Sequence, residues 1–253
     1  MSYRIRLSHK YDIKDLLQTS VRQLKVLYPS VVFRWTEVQK AHPYSTRAIT
    51  AVNLARLTET LSVLPSALYV CCQLPEMCLF DGAKHADGTS DILDRDDLQR
   101  CVRAKTEFAQ MRMDYVHTTF DPSNIDDGCL SKTVCKAALR RIQADAISLA
   151  GTRGDEAGIF EPLDEVLNQY ERDGDAAFAN PTLCERCMKG VDTANMVNLF
   201  FTWAELPEHF HVAVDPKQWA RPDGDESEPE FHRRLREEGE RVSWPTYFAL
   251  ESC

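Results

Sequence analysis

The sequence has no long hydrophobic run. Its longest uncharged apolar stretch, from Leu61 to Leu74, contains two serines, a proline and a glutamine. This stretch is shorter than the roughly 20 residues that a membrane-spanning helix needs. Basic side chains at Arg4, Arg6 and Lys10 also interrupt the N-terminus before a signal-peptide core can form. We therefore expect no membrane association, no secretion, and a cytoplasmic or nuclear location.

The sequence is also poor in positive charge. It has 30 Lys and Arg against 39 Asp and Glu, which gives a formal net charge of −9 and a pI near 5.3. Nucleic-acid binding depends on clustered basic side chains that displace counterions from phosphates, so this balance argues against a nucleic-acid partner. At 253 residues and 43% hydrophobic content, the chain can bury about three quarters of its unfolded surface. These values predict a globular protein.

Strict alternation of polar and apolar residues, which is typical of half-buried strands, is not evident. Apolar residues recur at helical spacing instead, which predicts an all-α fold arranged as an irregular multi-helix array. A short helix is also expected at 162–170, and a longer one at 185–204. Capping residues, glycines and prolines mark the expected helix ends; the main ones are Lys10, Asp12, Pro29, Pro65, Pro75, Asp94, Asp121, Ser131, Gly151 and Pro207.

The composition divides the chain into three expected segments. Residues 1–28 are predicted to form a helical hairpin, and residues 29–212 a helical domain. Residues 213–253 are predicted to form an acidic, proline-containing tail, disordered or loosely docked, with a short charged helix. Three aromatic residues in this tail either dock on the body or form a short binding motif; they are Trp244, Tyr247 and Phe248.

Four of the nine cysteines form a candidate metal site. Cys184 and Cys187 are the pair in CERC, and two thiolates at this spacing can face one Zn²⁺ at about 2.3 Å. Cys129 and Cys135 can supply the second pair across the start of a helix. Together the four side chains predict a closed structural site with one Zn²⁺ as the cofactor.

Two other interpretations of these thiols stay open. Nine cysteines in 253 residues give about 0.3 Cys-x2-Cys pairs by chance, so the four can be ordinary buried thiols. Cys184 and Cys187 can also form a redox pair, although thioredoxin-like chemistry needs a strand before the motif. His209 and His211 are rival zinc ligands, at a spacing that does not fit a common zinc finger.

The remaining motifs indicate structure rather than chemistry. No phosphate-binding glycine loop, GxSxG or HExxH motif is present. Cys71, Cys72 and Cys101 are expected to be core thiols, and residues 151–154 a flexible loop. The acidic cluster lacks EF-hand spacing and is expected to be a solvated helix cap and first turn; it comprises Asp87, Asp91, Asp94, Asp96 and Asp97.

Several segments occur in the order and spacing of a known family. Residues 7–24, LSHKYDIKDLLQTSVRQL, resemble the helical pair that follows the core of BTB/POZ domains. Residues 51–74, AVNLARLTETLSVLPSALYVCCQL, resemble its continuation in fungal BTB-domain proteins. Further matches are DGTSDILDRDDLQRCV, Cys129, Cys135, LCERC, Trp203 and LPEHF.

This resemblance implies that residues 1–28 correspond to the end of a BTB domain and residues 29–212 to a post-BTB helical interaction domain. The resemblance extends to both cysteine pairs. It implies no catalytic activity. The BTB core that would precede Tyr3 is absent from this sequence, so a ubiquitin-ligase adaptor role is not expected.

We therefore expect a non-catalytic scaffold that binds other proteins. The alternatives are a CxxC thiol redox protein and a zinc-dependent nucleic-acid-binding module.

Overall fold

The computed structural model describes residues 1–41, 44–153, 158–160 and 183–219. Within these ranges the chain forms nine α-helices, one 3-10 helix and one two-stranded antiparallel hairpin. The predicted all-α class is confirmed. None of the helices among these residues is long and apolar enough to cross a membrane. The predicted helix at 162–170 and the aromatic residues near 244–248 lie outside the described residues.

The helices follow one another through mostly short connections. In chain order they are α1 (Ser2–Lys10), α2 (Lys14–Leu27), α3 (Val32–Ala41), α4 (Arg47–Leu57), the 3-10 helix (Leu61–Val63), α5 (Leu64–Cys72), α6 (Glu76–Asp81), α7 (Arg95–Thr119), α8 (Lys132–Arg153) and α9 (Glu185–His209). The strands β1 (Ala83–Lys84) and β2 (Ser90–Asp91) lie between α6 and α7.

Local sequence signals explain several of these boundaries. Pro65 lies in the first turn of α5, where its missing N–H costs no helical hydrogen bond. Asp94 caps α7, and its Oδ1 accepts a hydrogen bond from the Asp97 N–H at 2.7 Å. The prediction that Asp12 caps α2 is wrong. Asp12 adopts φ +51° in the turn after α1, and Ile13 precedes the first residue of α2 without a side-chain cap.

Two helices extend past their expected ends. α8 continues through Gly151 to Arg153, so these residues are helical rather than a loop. α9 continues through Pro207 to His209. Proline has no N–H to donate to the carbonyl four residues earlier, which here belongs to Trp203. That carbonyl accepts instead from Nε1 of Trp219 at 2.9 Å, so the proline leaves no unpaired acceptor.

The main core is built around α5, all of whose residues are buried. Tyr69 lies at its centre, with ring centroids 4.7 Å from Phe160, 5.5 Å from Trp35 and 5.7 Å from Phe108. The three expected core thiols are buried here, as predicted; they are Cys71, Cys72 and Cys101.

A second, smaller core joins the C-terminal half of α7 to α8 and to the start of α9. Its buried members are Val116, Phe120, Leu139, Ile142, Ala146 and Val191. Four cysteines form a third cluster immediately beside it. The second core therefore positions the helix ends that carry the cysteines.

Two aspartates of the acidic cluster are buried rather than solvated. Asp97 is 1% exposed and its carboxylate pairs with Arg56 at 2.6 Å and Arg100 at 3.0 Å. Asp91 is 7% exposed, and its carboxylate binds Arg6 at 2.6 Å. It also accepts from Thr50 at 2.8 Å and lies 2.7 Å from Nε2 of His85. Buried carboxylates need such partners. Here Asp97 joins α7 to α4, and Asp91 joins the hairpin to α1 and α4.

The hydrogen bonds to Asp91 predict a pH-dependent stability. Burial raises the pKa of this carboxyl, but the hydrogen bonds from Arg6, His85 and Thr50 outweigh it and leave the pKa below its usual value. A carboxyl with a lowered folded-state pKa stabilises the fold above its unfolded pKa of about 3.9, and loses this contribution as the pH falls further. We expect Asp91→Asn to cost about 2 kcal/mol at pH 7.

The measurement is urea denaturation from pH 7 to pH 2. The difference between wild type and Asp91→Asn should shrink as the pH falls below about 4. Asp12→Asn is the control, since Asp12 is exposed and asparagine tolerates its left-handed backbone. A difference for Asp91→Asn that is the same at every pH would contradict this account.

The residues that follow α9 pack on the body. Trp219 is 5% exposed and its ring stacks on Trp203, with 5.3 Å between the centroids. Val212 is buried in the main core, and Val214 contacts that core. The packed structure therefore continues to Trp219, beyond the expected boundary at residue 212.

Candidate metal centre

The four candidate ligands lie at the starts of two helices. Cys129 lies in the loop before α8, and Cys135 lies in the first turn of α8. Cys184 immediately precedes α9, and Cys187 lies in its first turn. The two helix starts meet, so that all four Sγ atoms lie within 4.8 Å of one another. The structure therefore brings together every cysteine that the sequence proposed as a ligand.

The sulfur atoms are close but not bonded. Cys129 Sγ lies 3.6 Å from Cys135 Sγ and 3.7 Å from Cys184 Sγ. A disulfide would require about 2.05 Å, and all four side chains are free thiols. The arrangement can hold a metal ion among the four sulfur atoms.

The cluster is enclosed on most sides. Cys135 is 0%, Cys187 is 2% and Cys129 is 5% exposed, and Cys184 is partly exposed. Ile125 and Leu183 pack against the sulfur atoms. A bound ion would be surrounded by thiols and apolar side chains, which is typical of structural rather than catalytic metal sites.

Backbone N–H groups surround the sulfur atoms. The Cys184 N–H donates to Cys135 Sγ at 3.4 Å. The backbone of Cys187 lowers the pKa of Cys184, and the backbone of Asp126 opposes the rise in the pKa of Cys187. Hydrogen bonds of this kind orient metal ligands and stabilise their charged form. The backbone is therefore arranged for thiolates.

The thiols have different proton affinities. The N–H of Cys187 lowers the pKa of Cys184 to about 7, whereas burial raises the pKa of Cys187 to about 12 and also raises the pKa of Cys135. Four thiolates so close together repel one another, and a divalent cation removes that cost by binding them.

The loop that precedes Cys129 is shaped by Asp126. Its backbone carbonyl accepts from the Cys129 N–H at 2.9 Å, and its Oδ1 accepts from the Gly128 N–H at 2.8 Å. Arg186 in α9 reaches the same carboxylate at 3.8 Å. The sequence analysis missed this role of Asp126, although the Asp-Asp-Gly turn directly before a candidate ligand is a usable signal.

Comparisons with known proteins do not assign a family. No family model, curated protein or solved structure matches this chain. The resemblance to the post-BTB helical region therefore stays a prediction, and the arguments about function rest on the geometry of the chain.

The rival ligands lie apart from the cysteines. His209 Nδ1 is 3.7 Å from a Glu107 carboxylate oxygen, and its ring contacts Phe108 in the main core. His211 lies in the turn after α9 with φ +47°. In the described ranges, only the four cysteines form a group of three or more clustered metal-binding side chains.

Proposed function

We propose that this protein is a non-catalytic protein-interaction module, stapled by one structural Zn²⁺ bound to Cys129, Cys135, Cys184 and Cys187. One observation carries the zinc assignment. Four sulfur atoms at about 2.3 Å from a tetrahedral ion lie about 3.8 Å from one another. Two of the sulfur separations, 3.6 and 3.7 Å, are close to this value, and all four sulfur atoms lie within 4.8 Å of one another.

The ligand set favours zinc over other common ions. Thiolates are soft ligands, whereas Ca²⁺ and Mg²⁺ bind oxygen. A tetrahedral set of four sulfur atoms is typical of zinc or of iron, and a buried site with four protein ligands and no open position is typical of structural zinc. Zinc has no redox chemistry, which agrees with a scaffold role.

The proposed ion would stabilise the part of the fold that has the smaller core. Among the described residues, the core that joins α8 and the start of α9 to α7 has six buried side chains, far fewer than the main core. A Zn²⁺ ion bound by the cysteines at the starts of α8 and α9 would cross-link these two helices at the edge of this core.

The exposed surface supports the interaction role. Large apolar side chains are open to solvent at Met77, Phe80, Ile92 and Val102. Val102 is 48% exposed, because Cys101 and Ala104 occupy the buried side of α7. Phe80, Leu98 and Val102 line a shallow groove along α7. Charged side chains also line this groove, among them Arg95 and Glu107, and we propose it as a contact surface for a protein partner.

The experiment that tests the zinc assignment is metal analysis of protein purified without chelator. We expect about one Zn²⁺ per chain in the wild type and in the control Cys78→Ser, because Cys78 lies outside the cluster. Cys129→Ser and Cys184→Ser should each lose most of the metal. A metal-free wild type, or ligand variants that keep the ion, would contradict the proposal.

The same preparations distinguish the runner-up, a CxxC thiol redox protein. Cys184 and Cys187 are close enough to form a disulfide after a small movement, and a redox protein would cycle between this disulfide and the dithiol without bound metal. Quantitative thiol titration before and after mild oxidation tests this. A reversible two-electron disulfide in a metal-free wild type would favour the redox function.

A further inference from the structure

One exposed face of α8 carries only positive charge. Lys132, Lys136 and Arg140 follow one another at four-residue spacing, and all three are exposed. Side chains four residues apart lie on the same side of a helix. We call these three side chains the α8 basic face. It stands out in a chain with a formal net charge of −9.

The α8 basic face has no acidic partner among the residues that the structure describes. Two carboxylates near the starts of α8 and α9 have cations of their own, since Asp126 pairs with Arg186 at 3.8 Å and Glu185 with Lys189 at 2.8 Å. Like charges at four-residue spacing destabilise a helix. An acidic ligand would relieve this repulsion.

A fully exposed apolar side chain lies at the start of α8, since Leu130 is 101% exposed. Leu130 directly follows the candidate ligand Cys129, so a metal ion bound by Cys129 would help to fix its position. A fully exposed leucine next to a cluster of unpaired cations is a combination that a peptide ligand can use.

We propose that the α8 basic face, together with Leu130, binds an acidic segment of a partner protein that also carries apolar side chains. The proposal rests on the proposed function, because the metal centre would hold the start of α8 in place. Charge complementarity selects an acidic ligand, and the exposed Leu130 favours a peptide over nucleic-acid phosphates. The net charge of −9 further disfavours the dense charge of nucleic acid.

The test uses a fluorescein-labelled peptide with four Glu-Glu-Leu repeats, titrated with the wild-type chain at low and at moderate salt. We expect saturable binding that weakens with salt. The double variant Lys136→Glu/Arg140→Glu should bind at least about tenfold more weakly. The charge-matched control Lys14→Glu/Lys25→Glu changes two exposed lysines of α2, and it should stay within about twofold of the wild type.

Three outcomes would overturn the inference. The first is no peptide binding, or equal binding by the α8 variant. The second is tighter binding of single-stranded DNA with the same loss in that variant, which would assign the face to phosphates. The third is peptide binding only after the acidic residues at 223–230 are changed to amides, which would assign the face to the chain's own acidic segment.

Zinc content measured on the same samples separates this inference from the proposed function. Zinc-loaded wild type that fails to bind the peptide overturns only the inference about α8. Metal-free wild type that binds the peptide through the α8 basic face overturns only the zinc assignment, and supports the inference.

Discussion

Replacing one buried metal ligand should have a large effect on stability. We expect Cys135→Ala to lower the free energy of unfolding by at least about 4 kcal/mol, because binding of a structural Zn²⁺ contributes roughly 10–16 kcal/mol in zinc-finger peptides. Cys135 is 0% exposed and its Sγ is 3.6 Å from Cys129 Sγ. The measurement is urea denaturation in the presence of equimolar zinc, with metal content determined on the same sample.

Cys71→Ala is the matched control. Cys71 is also 0% exposed, but it lies in the main core away from the cluster. Its loss should cost about 1 kcal/mol, the usual effect of a small core truncation. Similar losses for the two variants would mean that Cys135 acts only as a core thiol.

The same account predicts where the structure loosens when zinc is removed. Chelation of the wild type should increase amide hydrogen exchange at Leu139, Ile142 and Val191, which form the second core. Exchange at Leu68 and Tyr69 in the main core should change little. An equal loss of protection in both cores would contradict the view that the metal ion stabilises mainly the second core.

Trp203→Ala should be the most damaging change in the main core. Trp203 is 1% exposed, its Nε1 donates to the Ser30 carbonyl at 2.9 Å, and its ring lies 5.4 Å from Trp35 and 5.2 Å from Phe160. Truncation of a buried tryptophan costs about 3–5 kcal/mol, and the orphaned Ser30 carbonyl adds about 1 kcal/mol. We expect a total near 5 kcal/mol in urea denaturation.

Phe201→Ala provides the comparison for this change. Phe201 lies on the same helix and is 54% exposed, so its truncation should cost no more than about 1 kcal/mol. A loss of less than about 2 kcal/mol in the free energy of unfolding for Trp203→Ala would contradict this prediction. It would mean that the contacts of Trp203, including its stacking on Trp219, contribute little to stability.

The features that the sequence predicted well are those determined by neighbouring residues. The start of α5 follows from Pro65, and the start of α7 follows from the Asp94 cap. The four cysteines were found because a Cys-x2-Cys pair has a spacing with a direct chemical meaning. Such signals act within a few residues and need no knowledge of the tertiary structure.

The features that the sequence analysis missed depend on distant residues. Asp91 is buried because Arg6, 85 residues away along the chain, reaches its carboxylate. Asp97 is buried because Arg56, 41 residues away, does the same. Pro207 remains within α9 because Trp219 occupies the carbonyl of Trp203. No local pattern distinguishes these residues from a solvated cap or a helix stop.

The metal centre depends both on local sequence spacing and on contacts between distant residues. Local spacing identified each pair of cysteines, but the meeting of the two pairs requires that α8 and α9 start at the same place. The second core makes this possible through Leu139, Ile142 and Val191. The backbone N–H groups that face the sulfur atoms were likewise visible only in the folded chain.

The most direct test of the zinc centre is X-ray absorption at the zinc edge, measured on the purified 253-residue chain. The account predicts four sulfur neighbours at about 2.3 Å and no nitrogen or oxygen in the first coordination sphere. Zinc bound by nitrogen or oxygen, or a chain that contains no zinc, would contradict the assignment of the four cysteines as a structural metal centre.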